Sequence, residues 1–248
     1  MPSPWNLSPE KWLEVLSDGI DPQTLAARLS QAHAVPWTEV LLQYTHEGDS
    51  VLDLGSGRGE HSAILSRRGR NSALLDWSLH NVRFSEELFR KMGISGMFCQ
   101  ADITKPLPFK DQSFDVVFSC GVFEYFSDDQ IRSILREAFR ISKKRIIIMV
   151  PNAWSLAYRI GKWHMERNAK WSWGGEVPSY TLKSHFRSAG KMRLSEFSVA
   201  AKHSLAFLTM KGGSRIRRAC TRLLGLQDSA KPSLFRQGYL LVSIGEKD

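Results

Sequence analysis

Residues 51–60, VLDLGSGRGE, place Gly55, Gly57 and Gly59 directly after an apolar run, with Asp53 inside the run and Glu60 just past the turn. Glycines there let backbone N–H groups approach a ligand closely. The dinucleotide fingerprint requires G-x-G-x-x-G, but Glu60 stands where its third glycine belongs, and no Gly-Lys-Ser/Thr follows to make a phosphate loop. A pyrophosphate gains from the N–H groups of a helix N-terminus. Carboxylates on both flanks oppose such an anion and favour a ligand carrying positive charge. Two more acids, Asp76 and Asp102, stand at the ends of later apolar runs.

Those acids need elements to carry them. Short apolar runs at SVLDLGSG, SALLDWS, GMFCQAD, FDVVFSCG and RIIIMVPN alternate with amphipathic stretches at EHSAILSRRG, HNVRFSEELFRKMG and DDQIRSILREAFRIS. Strands this apolar, each followed by a helix, predict a parallel sheet covered on both faces. Right-handed crossovers then line the strand C-terminal ends along one edge, where open α/β sheets bind ligands. A helix at YTLKSHFRSAG and strands at LSEFSVAA and GYLLVSIG complete a seven-stranded, mostly parallel sheet with the last strand antiparallel. The fold class is thus a three-layer α/β/α sandwich. Helix starts at Ser8-Pro9 and Asp21-Pro22 predict N-terminal helices. The expected organisation is an N-terminal helical extension over 1–34 and a ligand-binding domain over 35–248, with insertions at 152–180 and 203–236.

VLDLGSGRGEHS resembles motif I of the class I S-adenosylmethionine (SAM)-dependent methyltransferases, and CQADITKPLPFKDQSFDVVFSCGVFEYF resembles the third and fourth motifs of that family. The resemblance implies a Rossmann-like fold, SAM as cofactor and S-adenosylhomocysteine (SAH) as product. It implies that Asp53, Gly55, Ser56 and Gly57 form the cofactor loop and that Asp76 holds the ribose hydroxyls. Asp102 would meet the adenine amino group, with Ile103 packing on the ring, and Cys120 and Gly121 would line the methionine side. Trp77 either stacks on adenine or sits at the edge of the core. The family's usual Pro-Gly-Gly turn before the fifth strand is replaced by SKK.

For the acceptor, the resemblance points to Phe123, Glu124 and Tyr125 at the active-site edge. The segment after the fifth strand concentrates Trp154, Tyr158, Trp163, Trp171, Trp173 and Tyr180, like the substrate-covering insertions of small-molecule methyltransferases. Such a pocket suits a small aromatic or apolar acceptor; a helical hairpin using these rings as its own core is the alternative. The family's [DN]-PP-[YF] signature is absent after strand four, which turns the reading away from amide-type acceptors. His164 and His185 are the candidate general bases.

The 248-residue chain has a net charge of +9, which favours anionic partners in general. No RNA-binding motif accompanies that charge, so nucleic acid is not the expected acceptor, though it stays open. The segment SRIRRACTRLLG, residues 214–225, reads as an amphipathic basic helix that lies weakly on a membrane surface, covers the site, or packs on the sheet. Three scattered cysteines and no metal-ligand spacing predict no disulfides and no metal. With no export signal at MPSPWNLSPEKW, a cytoplasmic protein, monomeric or homodimeric, is expected.

Overall fold

Asp21 starts a helix as its pairing with Pro22 predicts: Oδ1 accepts from the Thr24 N–H (3.0 Å) and Oδ2 from Thr24 Oγ1 (2.7 Å). The resulting α1 spans Pro22–Gln31. The structure, a computed structural model, describes residues 19–31, 34–223, 229–233 and 236–247. The helix start read at Ser8 lies outside them, as do Leu224 and Gly225 of the basic segment.

Helix α2 (Pro36–Tyr44) leads into β1 (Ser50–Leu54), α3 (Glu60–Arg67), β2 (Asn71–Asp76), α4 (Leu79–Met92), β3 (Met97–Gln100) and β4 (Phe114–Cys120). A 3-10 turn over Phe123–Tyr125 precedes α5 (Asp128–Ile141), which runs straight into β5 (Ser142–Pro151). The SKK residues that replace the family turn are therefore the first residues of the strand. Then come α6 (Leu156–Arg167), α7 (Lys183–Ala189), β6 (Arg193–Val199), α8 (Ala201–Ser204), α9 (Gly213–Leu223) and β7 (Leu240–Glu246).

The strands form one sheet in the order β3-β2-β1-β4-β5-β7-β6. β1 to β5 pair in parallel, and β7 lies antiparallel between β5 and β6. Alternation along each strand divides the core. Leu52, Val117, Ile146 and Ile148 pack on one face with Ile131, Ile134, Leu135 and Ala138 of α5. Val51, Val116, Phe118, Ile147 and Met149 pack on the other with Val40 and Leu41 of α2 and Leu65 of α3. Each such side chain contributes about 1.5–3 kcal/mol on burial. Leu25, Ala26 and Leu29 carry α1 onto Leu74, Leu88 and Phe89, so the described part of 1–34 is fastened to the domain.

The insertion after β5 is closed at its base by backbone bonds, Ser179 N–H to the Pro151 carbonyl (2.9 Å) and Ala153 N–H to the Ser179 carbonyl (3.0 Å). Tyr158 of α6 is fully buried against Phe207 and Tyr239, with ring centroids 5.1 and 5.3 Å away. In α9, Ile216 and Leu223 are exposed alongside the arginines. No described helix is long and apolar enough to cross a membrane.

Candidate functional site

A cleft of about 340 Å³ opens at the C-terminal ends of β1 to β5, roofed by the insertion. The glycine turn forms its floor. Gly55 has φ +77° and its Cβ, if present, would stand 2.7 Å from a Val122 methyl, so this position requires glycine. The Gly55 and Ser56 N–H groups donate to the Leu75 carbonyl (2.8 and 3.0 Å), fastening the turn to β2.

Asp76, at the end of β2, accepts from the Gly57 N–H (2.9 Å), the Ser78 N–H (2.9 Å) and Asn81 Nδ2 (3.2 Å). A carboxylate offers about four acceptor sites, so one remains for a ligand hydroxyl. Burial raises the Asp76 carboxyl above the ordinary range, against the pull of those donors. Asp53 is 2 % exposed and accepts from Ser62 Oγ at 2.8 Å. Burial, reinforced by the nearby Asp76 charge, pushes Asp53 up to about 7. Both groups are buried acids for which a positive ligand would be the countercharge. Asp102, just past β3, is exposed and turned on itself by Thr104, whose N–H and Oγ1 donate to Oδ1 (2.8 and 2.7 Å).

All ten residues expected around a cofactor border this one cleft: Asp53, Gly55, Ser56, Gly57, Asp76, Trp77, Asp102, Ile103, Cys120 and Gly121. Burial beside Glu124 and Asp53 pushes the Cys120 thiol far up, leaving it a neutral, small lining group.

The residues expected at the acceptor divide. Glu124 and Tyr125 border the cleft. Phe123 turns into the core beneath it with Leu54 and Ile103. Tyr158 is in the insertion's own core, its hydroxyl donating to Glu176 Oε1. Trp154, Trp163 and Tyr180 lie on the outside: Trp163 is 56 % exposed, and Trp154 and Tyr180 contact each other with centroids 5.2 Å apart. His164, on α6, does not border the cleft, and His185 of α7 pairs instead with Asp128, Nε2 to Oδ1 at 3.1 Å.

Other residues complete the walls. Trp37, His61, Asn81, Trp173, Glu176 and Tyr239 arrive from five separate segments. His61 Nδ1 lies 2.9 Å from Thr38 Oγ1, and burial lowers its pKa, so the histidine at this cleft is a neutral imidazole at pH 7. Its position two residues past Gly59, in the first turn of α3, was the available signal. The roof is held by the Tyr125 hydroxyl donating to the Trp173 carbonyl (3.0 Å) and the Val177 N–H donating to the Glu124 carbonyl (2.9 Å).

A family profile described as methyltransferase domain matches residues 45–197. Among curated proteins, the chain is 28% identical over 137 residues to a probable tRNA methyltransferase 9B of Bos taurus, covering 55% of this chain and 26% of the relative. It is 32% identical over 123 residues to phosphoethanolamine N-methyltransferase 1 of Arabidopsis thaliana, covering 48% and 25%. The matched region thus spans about a quarter of each relative's length. A solved structure from Thermotoga maritima, described as a SAM-dependent methyltransferase and possible histamine N-methyltransferase, superposes with a TM-score of 0.58 at 20% identity, covering 85% of this chain and 87% of that one. At that identity the likeness is one of fold.

Proposed function

The chain belongs to the class I SAM-dependent methyltransferase family, and on that premise we propose that it transfers a methyl group from SAM to an O, N or C atom of a small acceptor of aromatic or apolar character. The observation that carries this reading is the convergence of Asp53, Asp76 and Asp102, from three strand ends, on one glycine-floored cleft.

The residues fit the cofactor on their own chemistry. The turn holds Gly55, Gly57 and Gly59 at positive φ with no side chain between backbone and ligand, and among the described residues the buried Asp53 and Asp76 have no cationic side chain paired with them. When bound, SAM supplies a methyl group activated by its sulfonium charge. Asp76 keeps one acceptor site for a ribose hydroxyl and holds the turn through the Gly57 N–H. Asp102 and Ile103 offer an acceptor and an apolar surface for the adenine. Beyond them, Trp37, Tyr125, Trp173 and Tyr239 bound an aromatic space in which an acceptor is oriented. Positioning and desolvation supply most of the catalysis in such a transfer.

Titration calorimetry with SAH tests the reading. The wild type binds SAH, and Asp76→Ala abolishes binding while circular dichroism shows the fold retained. A folded wild type that does not bind SAH rejects the proposal.

A second reading makes RNA the acceptor, and it draws on the net charge of +9 and on the tRNA methyltransferase relative. The arrangement of that charge argues against it, because acids border the cleft while basic side chains cluster elsewhere on the sheet.

A further inference from the structure

The acids of the cleft outnumber those a cofactor would use. Asp53, Asp76 and Asp102 come from the ends of β1, β2 and β3, whereas Glu124, in the 3-10 turn after β4 beside Cys120 and Gly121, and Glu176, in the insertion, border the same cleft with Tyr125, Trp173 and Tyr239. These two are 5 % and 6 % exposed. Glu176 has the Tyr158 hydroxyl as a donor. Glu124 Oε2 is buried with no hydrogen-bond partner among the described residues. A buried carboxyl oxygen left in this state is destabilising unless something else satisfies it. A leucine would fill the same space without that cost.

We propose that the acceptor bears an amine, recognised as its ammonium form by the Glu124 and Glu176 carboxylates against the rings of Tyr125, Trp173 and Tyr239. The inference rests on the methyltransferase reading and gives it a substrate class. Two carboxylates with aromatic faces beside them are the arrangement that holds an organic cation by ion pairing and ring quadrupole together.

The charges around Glu124 agree. The titratable groups that face it are Cys120 on β4, the adjoining Tyr125, Tyr158 on α6, Glu176 in the insertion and Tyr239 ahead of β7, none of them cationic. Lys162 acts on Glu176 but is itself engaged by Glu166 (2.5 Å) and by the Trp171 ring (4.3 Å). Burial and the Glu176 charge push Glu124 well above the ordinary carboxylate range, which favours its protonated form in the ligand-free protein. An arriving ammonium is the countercharge that reverses this, so the Glu124 proton leaves to solvent on binding. The resulting carboxylate can then take a proton from the ammonium, breaking N–H and forming O–H, to free the nitrogen lone pair.

Calorimetry on the full chain distinguishes the two levels of the argument. SAH is titrated first, and a folded protein that fails to bind it removes the methyltransferase reading and this inference together. The SAH-saturated protein is then titrated with 2-phenylethylamine and tryptamine, and with 2-phenylethanol and tryptophol as uncharged counterparts. The expected result is that an amine binds roughly tenfold or more tightly than its alcohol. Buffers of different ionisation enthalpy should report proton release with the amine only. Glu124→Gln should erase the preference while SAH affinity stays within about twofold, which also shows the variant folded. If SAH binds but the alcohols match the amines, or neither amine binds, the inference is overturned. A large loss of SAH affinity in Glu124→Gln would assign the acid to the cofactor and overturn it equally.

Discussion

Asp53 is held in a state that the free chain would not choose. Its carboxyl is pushed from 3.8 to about 7 by burial, against the pull of the Ser62 hydroxyl that donates to it. A folded-state pKa raised above the unfolded one means that its contribution to stability is intact below about pH 4. That contribution is lost as the pH rises through about 7. The displacement corresponds to ~4 kcal/mol at the high-pH end. Asp53→Asn, which cannot ionise, should therefore melt with the wild type at pH 4 and above it at pH 8 when both are ligand-free. Melting curves across that range check this directly. Saturating SAM should narrow the gap at pH 8, since a positive ligand offsets the wild-type charge and has nothing to offset in the variant. Equal melting temperatures at every pH would mean that Asp53 is ionised at no cost and is solvated in a way the buried strand end does not show.

At the scale of elements, the insertion acts as a roof whose seams can be named. Tyr158 joins α6 to Glu176, and the Val177 N–H closes onto the Glu124 carbonyl. Tyr158→Phe removes only the hydroxyl and leaves Glu176 a buried acid without that donor, a loss of about 1–3 kcal/mol. The expected outcome is local: amide hydrogen exchange over 171–178 quickens by about tenfold or more, while α5 and the parallel strands keep wild-type protection. Unchanged exchange there would mean that the aromatic packing alone holds the roof. The same elements show what the sequence could and could not convey. The parallel sheet was legible because apolar run, turn and amphipathic helix repeat locally from residue 50 to residue 151. Asp53, Asp76 and Asp102 were legible as a group because each stands close to the C-terminal end of such a run. Trp37, Asn81, Glu176 and Tyr239 were not, since they meet only after distant segments pack together. The insertion's aromatics carry no periodic cue to their direction: Tyr158 points into the core, Trp173 borders the cleft, and Trp154, Trp163 and Tyr180 face outward. Direction was equally hidden for the histidines: His164 and His185 lie in the right part of the chain, but on helices that contribute no residue to the cleft's lining.

For the whole molecule, the sign of the charge depends on where it is sampled. The chain carries +9, yet the cleft is bordered by Asp53, Glu60, Asp76, Asp102, Glu124 and Glu176, with Arg58 tied to Glu60. Basic side chains gather at the other edge of the sheet, where Lys143, Lys144 and Arg145 begin β5, Arg193 begins β6 and Lys247 follows β7. Some of that charge is already paired: Lys144 with Asp49 (2.8 Å) and Asp115 (3.0 Å), Arg145 and Arg193 with Glu246. The ten residues of β5 separate this edge from the cleft by roughly 30 Å at about 3.3 Å per residue. RNA held at the basic edge would be far from the acids, and RNA phosphates brought to the cleft would meet like charge. Any RNA binding should therefore be of the counterion-release kind, falling steeply between about 50 and 200 mM salt and indifferent to SAH. Fluorescence anisotropy with a labelled single-stranded RNA, titrated at both salt concentrations with and without SAH, measures it. Sub-micromolar binding that survives the higher salt and shifts with SAH would couple nucleic acid to the cleft and make RNA the acceptor. Salt-sensitive binding without coupling leaves the acidic, aromatic cleft to a small molecule, because buried carboxyls gain from an arriving cation and gain nothing from a polyanion.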